Sequence, residues 1–272
     1  MITFPKAKIN LGLHVTARRH DGYHDIETIF YPVGLSDALE FVVGDKNAAS
    51  DEIVMTGLRI NIKPGHNIVL KALNHIRREY PIPFLKIHLH KAIPSGAGLG
   101  GGSSDAAYFL KVLDRYFGLE MSSAKMQSIA LELGSDCPFF IDPLPSLAIG
   151  RGEILSPLDC FLTGYYISIL NPGVSIITRD AYLNCHPVKP KIALRDIIRQ
   201  PVRSWQKMLK NDFEEYAFKV YPVIAELREA LYRAGADFSL MSGSGSSVYA
   251  LWKEEPSLPE WMKKYSVFEG PL

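Results

Sequence analysis

Between a strictly alternating stretch at residues 85–90 and an amphipathic one that starts near Ser104, the chain places five glycines within seven residues: Gly96, Gly98, Gly100, Gly101 and Gly102. Glycine gives up more backbone freedom on folding than any other residue, and a simple turn needs only one or two. A run this dense suits a loop whose bare backbone comes close to a ligand. It empties into a helix start that Ser103 or Ser104 would cap, so its amides and the helix dipole favour an anion, with phosphate the natural candidate. Gly96-x-Gly98-x-x-Gly101 meets the dinucleotide fingerprint by spacing, but the pattern that follows predicts a second helix, not a second strand ending in an acid. No lysine precedes Ser103 in a P-loop frame. A protein-kinase glycine loop lies between two strands rather than opening a helix. None of these three readings fits the context.

The flanking pattern mixes strands and helices without regular alternation. Strands are expected at 7–15, 38–43, 52–56, 85–90 and 165–170, and helices at 67–80, from Ser104 to the stop at Gly118, and at 123–133. One long helix is expected from 213 to 232, then a turn at 234–236 and a closing segment at 239–252. This predicts the α+β class, with two domains, 1–155 and 156–272. His88 and His90 fall on the polar side of their strand and read as a solvated face. Thirty Lys and Arg against 29 Asp and Glu leave a charge of +1, which gives no electrostatic case for a nucleic-acid partner. No apolar run approaches the roughly 18 residues of a membrane span, and the first residues lack a signal-peptide layout. Three widely spaced cysteines (Cys137, Cys160, Cys185) read as reduced thiols. A cytoplasmic handler of a small molecule is the expectation.

The run Pro94-Ser-Gly-Ala-Gly-Leu-Gly-Gly-Gly-Ser-Ser-Asp-Ala-Ala107 resembles the ATP-binding motif of the GHMP small-molecule kinases. Further matching segments are Ala7-Lys8-Ile9-Asn10-Leu11, Asp21-Gly22-Tyr23-His24, Leu133-Gly-Ser-Asp-Cys-Pro-Phe-Phe140 and Pro172-Gly-Val-Ser-Ile-Ile-Thr178. Together they resemble the branch of that family whose acceptor is the cytidyl diphosphate of methylerythritol. The resemblance implies a two-domain GHMP-kinase-like fold with its active site in the interdomain cleft. It also implies ATP as phosphoryl donor, with Mg2+, and transfer to the acceptor's 2-hydroxyl. An acceptor such as mevalonate or homoserine is the alternative within the family. A nucleotide-binding sensor without catalysis is the alternative outside enzymes.

The same resemblance implies site roles. Asp136 would be the base that takes the hydroxyl proton, and Lys8 the cation beside the transferring phosphate, with Lys6 the other lysine of that segment. ATP would be held by Pro94, Gly96, Gly98, Leu99, Gly100, Gly101, Gly102, Ser103 and Ser104, with Asn67 and Lys91 around the base; Asn67 also reads as a helix N-cap. Tyr23 and Tyr182 would stack on the cytosine while His24 meets its polar edge. Asn10 and Thr178 would touch the sugar-alcohol and phosphate parts. Ser242–Ser247 would support the glycine loop. No acid matches the helix glutamate by which other members hold the metal, so the metal ligands stay open.

Overall fold

The computed structural model describes residues 1–45, 47–60 and 67–272. In chain order the strands are β1 (Ile2–Thr3), β2 (Lys6–Arg18), β3 (His24–Ser36), β4 (Ala38–Val43), β5 (Glu52–Gly57), β6 (Leu85–Lys91), β7 (Ser146–Gly150), β8 (Ile154–Pro157), β9 (Tyr166–Leu170), β10 (Phe238–Met241), β11 (Val248–Trp252) and β12 (Ser266–Pro271). The helices are α1 (Ile68–Arg77), α2 (Gly101–Phe117), α3 (Ser123–Leu133), α4 (Cys137–Ile141), α5 (Thr178–Leu183), α6 (Leu194–Ile197), α7 (Glu214–Val220), α8 (Pro222–Arg233) and α9 (Glu260–Lys263). A 3-10 turn covers Val202–Lys207. Among the described residues no helix is long and apolar enough to cross a membrane, and all three cysteines are free thiols.

The chain forms two compact units that do not follow a single cut near residue 155. One consists of Met1–Ala7, Leu35–Ser95 and Gly100–Pro143; the other of Lys8–Gly34, Gly96–Leu99 and Leu144–Leu272. Strand pairing is the reason. β3 pairs antiparallel with β7, and β7 with β8, so early strands are completed by late ones.

In the first unit the sheet order is β1-β4-β6-β5, with β5 and β6 parallel. The alternation of β6 puts Leu85, Ile87 and Leu89 into the core, where Phe41 of β4 meets Phe109 of α2 edge to face at 5.8 Å. His88 and His90 lie on the other face, both within hydrogen-bond reach of Thr56, with Glu40 beside His88. Asn67 caps α1, its Oδ1 accepting from the Val69 N–H at 2.9 Å.

The second unit holds the sheets β2-β3-β7-β8 and β10-β11-β9-β12. Asp21-Gly22-Tyr23-His24 makes the β2–β3 turn: Gly22 takes a φ of +85° and the Tyr23 N–H bonds to the Asp21 carboxylate. The expected helix 213–232 is two helices, α7 and α8, broken at Tyr221. Pro222 has no N–H to continue the first, but suits the opening position of the second. Strand β3 and the short strands β7, β8 and β12 were not anticipated.

Candidate active site

Lys8 is 3% exposed and sits on β2, whereas Lys6 faces solvent. The Lys8 ammonium donates to Asn10 Oδ1 at 2.5 Å and to the Gly98 carbonyl at 3.2 Å, and lies over the Phe30 ring at 4.8 Å. The Lys8 N–H also donates to the Leu99 carbonyl at 3.0 Å. Of the two lysines, Lys8 is therefore the one tied to the glycine loop. Asn10 is buried: Oδ1 accepts from Lys8 and Nδ2 donates to Thr28 at 2.9 Å, so this side chain orients the lysine.

The serine-rich turn holds the same loop from the other side. Ser242 Oγ donates to the Gly98 carbonyl at 2.8 Å and accepts the Asn10 N–H at 3.1 Å, while the Ser247 N–H bonds to the Ala97 carbonyl. Gly98 has a φ of +78°, and a Cβ there would collide with the Ser242 carbonyl. Backbone can come this close only where there is no side chain. Leu99 is fully buried and anchors the loop, so its side chain does not face a ligand. Asn211 completes the turn, donating to the Met241 and Gly243 carbonyls at 2.8 Å each; sequence reading passed over it because a lone Asn before an acid carries no pattern.

The second half of the loop opens α2 three residues earlier than expected. Gly100, in the left-handed region, occupies the N-cap position and α2 starts at Gly101. Ser103 and Ser104 thus lie in the first turn and are not its caps; Ser104 is fully buried. A glycine with a positive φ makes the sharp entry that a capping serine would not, and the first-turn N–H groups have no partner within the helix. Asp136 stands at the start of α4 with no side-chain capping bond, half-buried. Next to it Cys137 is buried and hydrogen-bonded to Ser103 of α2; burial first, with the Asp136 charge adding, pushes its thiol up to about 12. The turn that presents Asp136 is thereby stitched to the helix that the glycine loop opens.

Lys91 does not offer its ammonium to a ligand. It is buried between Asp37 and Asp105, 2.6 Å from the Asp105 carboxylate, and Asp37 also accepts the Ala92 and Ile93 N–H groups. Burial, reinforced by Asp37 and opposed by Lys91, pushes the Asp105 carboxyl up to about 8. Asp105 Oδ1 and Ser104 Oγ are buried without hydrogen-bond partners among the described residues. Asn67, Lys91, Gly102 and Asp105 line one small cavity with Met55 and Leu89.

Of the aromatic set, Tyr23 is 55% exposed with the Arg151 guanidinium over its ring at 4.8 Å. His24 stacks on Tyr182 with centroids 4.9 Å apart and planes 17° apart, and Phe213 meets Tyr182 edge-on. The rings in direct contact are thus His24 and Tyr182. Burial, with the Arg18 charge nearby, holds the His24 imidazole below its ordinary value, hence neutral near pH 7. Thr178 is exposed at the start of α5, with its hydroxyl 3.1 Å from Ser244. Among the described residues no three His, Cys, Asp or Glu side chains converge to hold a metal.

A glycine loop clamped by a serine turn, opening a helix and flanked by a buried lysine, is the arrangement of a kinase for small molecules. The model of the GHMP kinases N terminal domain matches residues 67–142 and that of the GHMP kinases C terminal domain residues 193–260; the chain belongs to this family. Its curated relatives include the 4-diphosphocytidyl-2-C-methyl-D-erythritol kinase of Bacteroides thetaiotaomicron, 47% identical over 274 residues and 100% of both chains. The enzyme of that name from Parabacteroides distasonis is 45% identical, over 98% of this chain and 96% of its own. A crystal structure of 4-(cytidine 5'-diphospho)-2C-methyl-D-erythritol kinase superposes with a TM-score of 0.77 at 32% identity, over 92% of this chain and 90% of that one.

Proposed function

We propose that this chain transfers the γ-phosphoryl group of ATP to the 2-hydroxyl of 4-diphosphocytidyl-2-C-methyl-D-erythritol. The observation that carries the reading is the 47% identity, over full length, to an enzyme of that name. In the reaction the acceptor hydroxyl gives its proton to Asp136, its oxygen bonds to the γ-phosphorus, and the bond to ADP breaks. Such transfer asks the protein for positioning and charge stabilisation more than for covalent chemistry. The first-turn amides of Gly101, Gly102 and Ser103, which have no partner within the helix, hold the phosphates; the α2 start at Gly101 behind a left-handed Gly100 supports this.

Lys8, aimed by Asn10 and the Gly98 carbonyl, meets the charge that develops on the transferring group. Tyr23, neutral His24 and Tyr182 take the cytosine, and Thr178 the diphosphate side. Asn67 and the backbone around Lys91 border the ATP base. Mg2+ would arrive with the triphosphate, as magnesium at phosphate sites usually does. It would supply charge neutralisation there.

The test is mass spectrometry of ATP with the cytidyl acceptor, where a singly phosphorylated product and ADP are expected. Phosphate on mevalonate or homoserine instead would reassign the acceptor. ATP binding without turnover on any of the three would make the protein a sensor.

A further inference from the structure

In the second unit, away from every residue assigned above, a cavity of about 670 Å³ lies between the segment after β8 and the α6–3-10 region. That volume falls within the usual range for small-molecule sites. Its lining is divided in character. Phe161, Tyr165 and Ile198, each partly exposed, give an apolar surface backed by the buried Trp205, and Arg195 and Arg199 bring two guanidinium groups. Asp159 is the one acid in the lining, so the cavity carries an excess of positive charge.

The aromatic floor is fixed. Trp205 is 1% exposed, its indole N–H donates to the Gln200 carbonyl at 2.9 Å, and its ring packs edge-on against Phe161 and Phe238. The guanidinium of Arg199, by contrast, is 78% exposed and its contact with Asp196 is loose, at 3.9 Å. A rigid flat surface beside an uncommitted cation is the combination that recognises a planar apolar body bearing an anion. Nothing in the kinase reaction draws on these residues.

We propose that this cavity is a second ligand site, for a small phosphate or carboxylate compound with a flat apolar body. The planar part lies against Phe161 and Tyr165, which the buried Trp205 backs, and Arg195 and Arg199 take the anion. The site stands or falls independently of the acceptor assigned above.

Phenyl phosphate is a suitable probe, titrated calorimetrically into the full chain, with inorganic phosphate and phenol as its separate halves. The expected result is saturable one-to-one binding, tighter than either half. Arg195→Ala/Arg199→Ala should weaken it by about tenfold or more, the size of a lost charge-assisted bond. Ile198→Trp, which fills the cavity, should abolish it, and Tyr182→Ala should leave it unchanged. Hydrogen exchange on binding should slow at 195–205. Both arginines are exposed at the surface, so the double variant should keep the native melting temperature. Binding that survives both cavity variants, binding lost in Tyr182→Ala, or no saturation up to about 10 mM would overturn the proposal.

Discussion

Asp105 follows the glycine loop in sequence, yet only the fold explains its state. It shares Lys91 with Asp37 out of reach of water, and two carboxylates on one buried ammonium leave an excess negative charge. The proton it keeps up to about pH 8 in the folded chain is lost near its ordinary value of 3.8 when the chain unfolds. Folding takes up a proton across that window, so this group's contribution falls as pH rises from about 4 to 8 and levels off beyond. Asp105→Asn should remove that slope, read as melting temperature against pH for both proteins; parallel curves would count against a retained proton. Asp136→Asn should fold as the parent does and lose roughly 10²–10⁴ in kcat, the usual cost of a missing general base. A near-parental rate would take Asp136 out of the mechanism. The motif context singled out Lys8 and Asp136, but burial is not written in a motif. That is why the sequence did not show that Asn10 orients Lys8 or that the Lys91 ammonium is held by Asp37 and Asp105.

At the scale of elements, the alternation of β6, the cap of α1 and the stop at Gly118 were legible because each is set by local chemistry. Strand β3 was not, since its long buried run shows no period until β7 pairs with it. The start of α2 was misplaced because serine caps are common, while a left-handed glycine entry depends on what presses against it. That pressure makes a prediction: Gly98→Ala forces a side chain into the Ser242 carbonyl at a positive φ. It should cost about 1–3 kcal/mol from backbone strain alone, seen as a lower midpoint in urea, and it should reduce turnover. In the aromatic set, Tyr182→Ala removes the partner of His24 and should raise the KM for the cytidyl substrate while leaving that for ATP nearly unchanged. Equal rises in both would reduce Tyr182 to a packing residue.

For the molecule as a whole, composition carries no trace of how the segments of the two units alternate along the chain, which pairing between distant strands decides. A ligand held by the native chain alone must stabilise it, so ATP at 100 times its dissociation constant should add about 2.7 kcal/mol, measured by denaturant unfolding with and without nucleotide. No shift would argue against nucleotide binding. Asn10 receives Ser242 and Tyr249 across more than two hundred residues of chain. The strand bearing Lys8 can therefore pair with β3 early, but its bonds to the serine turn and to β11 wait until residues 242–249 have been made. Nascent chains halted before residue 242 should lack the clamp on Gly98 and bind no nucleotide, and competence for catalysis can arise only after residue 249 has been added.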